Sequence, residues 1–188
     1  MLPVIAGFSS LLPMLIMLRL RSEEVSGRGE LLLSHPVSRL GWAAAQIGIA
    51  LVGSATVMII GGAAAGLGFG LGTPTPGRTW LAVLTAALVL IPPIWLTASV
   101  TMLAVGLLPR LATVIVWVVF VLVNLFGESI GPAIGIDYAV ADLIVPFHHA
   151  PKVLTGASFT PVPTMIMIGA AFAILAVGLL SLRRRDLG

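Results

Sequence analysis

Thr164–Leu182, TMIMIGAAFAILAVGLLSL, followed at once by Arg183, Arg184 and Arg185, decides the architecture of this chain. At a helical rise of about 1.5 Å per residue, such a run matches a bilayer hydrocarbon core of about 30 Å. The arginine triplet marks where it leaves the lipid. Outward from this stretch the chain is written in the same alphabet. Of 188 residues, 59% are hydrophobic and 9% charged, too apolar for a water-soluble core of this size. The fold class is therefore all-α, a polytopic helical membrane protein forming a single transmembrane domain over 1–188.

Five apolar runs qualify as spans. They cover about 2–18, with Pro3 and Pro13; 41–71, long enough to tilt or to break within its glycines; 80–108, carrying Pro92 and Pro93; 111–126; and 164–182. The opening MLPVIAGFSSLL lacks a basic n-region and runs into a longer apolar segment, so it reads as a span and not as a signal peptide. Basic residues near span ends stay on the cytoplasmic side. With the C-terminal triplet inside, five crossings also place Arg19, Arg21, Arg28, Arg39 and Arg110 inside, leaving Arg78 and Lys152 outside. The N-terminus is then outside, the C-terminus cytoplasmic, 19–40 a cytoplasmic segment and 127–163 external. Within the latter, Ile130–Val145 is apolar, yet Asp137 and Asp142 each cost about 2.5–3.5 kcal/mol at a helix centre. The expectation there is a short interfacial or re-entrant helix, with Tyr138 and Phe147 suited to the interface.

The composition also excludes functions. There are no cysteines, hence no disulfide framework and no thiol chemistry. The isoelectric point near 10.6 comes from arginines at span ends, not from a patch interleaved with aromatics, so no nucleic-acid partner is expected. His148 and His149 are adjacent and lack an acidic residue at the spacing of a zinc helix; no metal site is expected. No G-x-S-x-G, H-E-x-x-H or Walker lysine motif is present, so the chain reads as no enzyme and as binding no ATP or other cofactor itself.

The densely charged island is Glu23–Arg39, EEVSGRGELLLSHPVSR. Gly27 and Gly29 bracket Arg28, Glu30 opens a short apolar helical stretch through Leu33, and His35–Pro36 should end it. Ser38 can cap the next span, whose first turn carries Arg39 and Trp42. A bent helix on the membrane surface results. It is either a topogenic loop or a docking knob for a soluble partner.

This island resembles the E-E-x-x-G-R-x-E-L-L-L-x-x-P-V-S-R segment of type-2 ABC exporter permeases, in particular the tetronasin-resistance or polyketide-antibiotic exporter branch. The resemblance continues through Pro92–Trp95, the G-L-L-P-R-L run at Gly106–Leu111, L-F-G-E at Leu125–Glu128, P-F-x-H-x-P at Pro146–Pro151 and R-R-R-D-L at Arg183–Leu187. It implies a six-span unit whose cytoplasmic coupling helix meets a separate ABC ATPase, with ATP and Mg bound by that partner, and a second permease unit across the transport path. The implied coupling residues are Glu23, Glu24, Arg28, Glu30, Leu31, Leu32, Leu33, Pro36 and Arg39. The chain matches from the second span onward, so it reads as the C-terminal five-span portion, a truncated, fragmentary or split form lacking an N-terminal amphipathic helix and first span. His148 stands where the family more often has a small polar residue.

Four further residues are candidates for a pathway or a gate. Pro92 and Pro93 remove backbone donors and kink the third span, either as a hinge or as a structural bend. Asn124 and Glu128 sit at the outer end of the fourth span, where polar groups serve a pathway, a helix–helix hydrogen bond or the headgroups. Gly62, Gly66 and Gly70 recur every four residues, the spacing of close helix packing. The function expected is a permease subunit of an ATP-driven exporter that moves hydrophobic or amphipathic compounds, antibiotics among them. The alternative is a non-transporting scaffold or decayed half-permease that docks a partner. A secondary transporter fits less well, because the spans hold almost no acidic groups.

Overall fold

The structure is a computed structural model and describes residues 2–25, 39–124, 145–150 and 161–185. Proline placement explains where its helices begin and end. A proline within a helix leaves the carbonyl four residues back without its donor and collides with it. Pro13 disarms Ser9, and the first apolar run is accordingly split into α1, Leu2–Ser9, and α2, Leu11–Val25. Ser10 bridges the break: its N–H reaches the Ala6 and Gly7 carbonyls at 3.0 and 3.1 Å, and its buried hydroxyl donates to Gly7 O at 2.5 Å. Pro93 disarms Val89 in the same way. The third run is thus two helices, α4 at Pro76–Val89 and α5 at Ile91–Leu107, joined through Leu90.

Between these breaks lies α3, Arg39–Gly70, a continuous helix of 32 residues. At about 1.5 Å per residue it is about 48 Å long, well beyond a hydrocarbon core of about 30 Å. Three of its glycines lie directly against α4. A methyl on Gly62 would strike the Ala87 methyl, one on Gly66 would come within 3.0 Å of Trp80 O, and one on Gly70 within 3.0 Å of Pro76 O. The four-residue spacing is therefore a packing stripe. Trp80 adds a cross-link by donating its indole N–H to Ala63 O at 3.1 Å.

The fourth run forms α6, Ala112–Val121, and continues in a π turn over Leu122–Asn124; positions 125 and 126 of the expected span lie outside the described residues. The last run forms α7, Pro161–Arg185, which begins before Thr164 and continues through the arginine triplet. From the segment expected to be external, 127–163, a 3-10 turn at Pro146–His149 is described. The expected helix at 130–145 lies outside the described residues, apart from Val145. Phe147, expected at the headgroup interface, is instead 4% exposed and packed in the core.

The centre of the bundle is α5. It touches α7 most intimately, and α2, α6 and α3 close the other sides. The α5–α7 crossing is backbone on backbone: a methyl on Gly106 would collide with Gly178 O, and one on Gly178 would lie 2.9 Å from Leu103 N and Met102 O. Trp95 ties α5 to α3 through an indole N–H to Leu51 O at 3.2 Å, and its ring meets Phe172 of α7 edge to face at 5.9 Å. Outward faces carry Ile49, Val52, Ile60, Leu67 and Phe69 on α3 and Met165, Ile166 and Phe172 on α7, as a lipid solvent requires. Among the described residues, four helical stretches are long and apolar enough to cross a membrane, Ile5–Glu23, Leu40–Gly70, Pro76–Leu107 and Pro161–Leu182, with Ala112–Asn124 a shorter apolar helix.

Candidate functional site

Two regions hold the candidate residues, and they sit at different levels of the bundle. At one end, the core around Leu18, Leu20, Ala43, Val105, Ala112 and Leu182 brings together the close of α2, the start of α3, the α5–α6 turn and the close of α7. Arg19, Arg21, Arg39, Arg110 and Arg183–Arg185 are all carried by these ends. Arg78, on α4 just past the α3–α4 connection, lies toward the other side. The arginine asymmetry legible along the sequence is thus an asymmetry of the folded bundle.

Helix α2 extends past the lipid-length stretch to Val25, so the first residues of the charged island continue a span. One turn apart on it, Arg19 Nε donates to Glu23 Oε1 at 2.8 Å, with the arginine side chain 73% exposed and the glutamate 19%. Glu23 is therefore held along the helix by Arg19, and Arg19 is the side chain presented outward. Sequence reasoning singled out Glu23 and missed Arg19; the i, i+4 spacing of opposite charges was the available signal. Glu24 and Arg39 lie in α2 and α3. Arg28, Glu30, Leu31, Leu32, Leu33 and Pro36 lie outside the described residues.

The second region surrounds the helix breaks. Pro92 and Pro93 are both buried and open α5, and Leu90 before them keeps a tightened bond from its N–H to Ala87 O at 3.2 Å. Asn124, at the end of the π turn, donates its amide to Phe120 O at 3.1 Å, and its Oδ1 occupies the notch where Gly7 has no side chain. This contact joins α6 to α1, next to an edge-to-face pair of Phe8 and Phe120 at 6.4 Å. The Asn124 hydrogen bond stays within its own helical path, and the contact it makes with another helix is one of packing. Glu128 lies outside the described residues.

The buried polar side chains among the described residues are all hydroxyls: Ser10, Ser54, Thr97, Ser99 and Thr101. Four donate to carbonyls three residues back in the chain, as Thr97 does to Ile94 O at 2.8 Å and Ser54 to Leu51 O at 3.0 Å. Thr101 Oγ1 is buried without a partner. Among the described residues this interior is weakly polar and uncharged, suited to helix packing. No group of three or more metal-ligating side chains occurs among the described residues.

A bundle of long apolar helices with proline breaks, an uncharged hydroxyl-bearing interior and most of its arginines at one end has the construction of a polytopic helical membrane protein. The family model described as the C-terminal domain of the multidrug efflux system permease Rv1217c matches residues 1–183, and the chain belongs to that family. It is also 36% identical over 173 residues to the multidrug efflux system permease protein Rv1217c of Mycobacterium tuberculosis (strain ATCC 25618 / H37Rv). That alignment covers 90% of this chain and 30% of the relative, so the chain spans less than a third of the longer protein.

Proposed function

We propose that this chain is the transmembrane permease subunit of an ATP-driven ABC exporter of the tetronasin-resistance or polyketide-antibiotic branch, moving hydrophobic or amphipathic compounds out of the cell. The observation that carries the reading is membership of an efflux-permease family along nearly the whole chain. The arginine-bearing end would face the cytoplasm, placing the N-terminus outside, and would meet a separate ATPase that binds ATP and Mg. A second permease unit, identical or not, would complete the path. Closure of the ATPases would push on Glu23–Arg39, and because α2 continues rigidly from the bundle to Val25, the push would reach the breaks at Ser10 and Leu90.

The test is co-purification of the chain with its candidate ATPase, together with dye efflux from cells expressing both. Glu23→Arg plus Glu30→Arg should abolish the complex and the efflux while insertion stays normal. Glu23→Gln loses the i, i+4 ion pair to Arg19, a contribution of about 0.3–0.5 kcal/mol, so a lost complex with unchanged insertion and melting separates docking from stability. A wild-type chain that binds no ATPase and exports no dye would refute the exporter and leave the non-transporting scaffold.

A further inference from the structure

Four residues, Pro146–His149, form a single 3-10 turn between extended flanks at Val145, with φ −97° and ψ 106°, and Ala150, with φ −68° and ψ 135°. The turn closes through the Ala150 N–H to Phe147 O at 3.3 Å, and His149 stays exposed with Nδ1 3.4 Å from Val145 O. Its apolar side chains point the other way. Val145, Phe147 and Ala150 are 1%, 4% and 7% exposed and belong to one cluster with Ala6, Met58, Ala87, Leu90, Ile94 and Val123.

That cluster draws one residue from each of α1, α3, α4 and α5, from the Leu90 break and from the π turn after α6. It surrounds the one point at which the third span is interrupted. Pro92 and Pro93 leave two backbone positions there without N–H donors, so the α4–α5 junction is held less by its own ladder than by what packs on it. The α4 side packs on α3 and the α5 side on α7, with little direct contact between the two halves. A change of angle at Leu90 therefore displaces the α3–α4 hairpin against α5 and α7, and Phe147 is lodged where that displacement occurs.

We propose that Phe147 is a removable wedge: seated, it fixes the angle at Leu90 and holds together the part of the bundle remote from Arg19 and Arg110; its withdrawal accompanies opening of the path during export. This rests on the exporter reading. Phe147 is a positioning residue that acts through the Leu90–Pro93 junction.

The chain contains no cysteine, so thiol probes need no background removal. In membranes holding the chain with its ATPase, Phe147→Cys should resist a bulky maleimide at rest and label at least fivefold faster during ATP-driven turnover. Phe147→Cys with Ile94→Cys, bridged by a short reducible thiol reagent, should lose export and regain it on reduction. A bridged chain that exports at the unbridged rate, or labelling that is the same with and without turnover, overturns the wedge and leaves Phe147 a static core residue. A wild-type chain that exports nothing in the same membranes refutes the exporter reading instead, and the wedge falls with it.

Discussion

Gly178→Ala adds one methyl at the α5–α7 crossing, and the structure says what that methyl meets. It would lie 2.9 Å from Met102 C, Met102 O and Leu103 N, all backbone atoms that cannot rotate aside. Ordinary contact starts near 3.4 Å, so the helices must part by at least about half an ångström. Parting by about 0.5–1 Å forfeits about a quarter to a half of each dispersion contact across the interface. Leu175 of α7, clustered with Ala98 and Met102 of α5, loses contact together with Gly178. Overpacking of this kind costs about 1–3 kcal/mol, and the rigid backbone places this case at about 2 kcal/mol or above. In lipid no hydrophobic term between the helices offsets the loss, since close packing is itself the driving force. The control is Gly169→Ala on the same helix, where nothing lies within 4 Å of the new methyl. There alanine should stabilise by about 0.5–1 kcal/mol through helix propensity. Reversible unfolding in mixed micelles, followed by helicity, measures both. Gly106→Ala should resemble Gly178→Ala, and the double variant should cost less than the sum, since one separation accommodates both methyls. A Gly178→Ala chain as stable as Gly169→Ala would refute the backbone crossing.

Gly7→Ala should cost about 1–3 kcal/mol by evicting Asn124 Oδ1 from its notch, and Asn124→Ala in the same chain should recover part of the loss in thermal melting. Thr101→Val should stabilise by about 1 kcal/mol, because it removes a buried hydroxyl with no partner, while Thr97→Val, which loses hydrogen bonds to Pro93 O and Ile94 O, should destabilise by about 0.5–1.5 kcal/mol. Opposite signs for these two isosteric changes are the outcome to look for. Trp95→Phe should cost about 1 kcal/mol through the lost indole bond to Leu51 O and should loosen α3 from α5, read as faster amide exchange in α3.

The amino-acid order by itself determined that this is a helical membrane protein, which runs are apolar enough to span, that the third run is interrupted near Pro92–Pro93, and that the basic residues gather at one end. Each is a one-dimensional property: run length against bilayer thickness, a missing N–H, a charge that resists lipid. It also carried the motif order that the family match bears out at the level of an efflux permease, and the four-residue glycine spacing that proved to face α4. What only the tertiary structure decided is which helix meets which. Gly106 and Gly178 are 72 positions apart in the chain, and no periodicity pairs them; their contact exists because α7 returns along α5. Phe147 reads as an interfacial aromatic until the fold places it over the Leu90 break, and that Asn124 fits into the space at Gly7 is visible only in the fold. Helix formation depends on neighbours three and four residues away. Seating a side chain between helices depends on surfaces that the chain brings together only after each helix has formed.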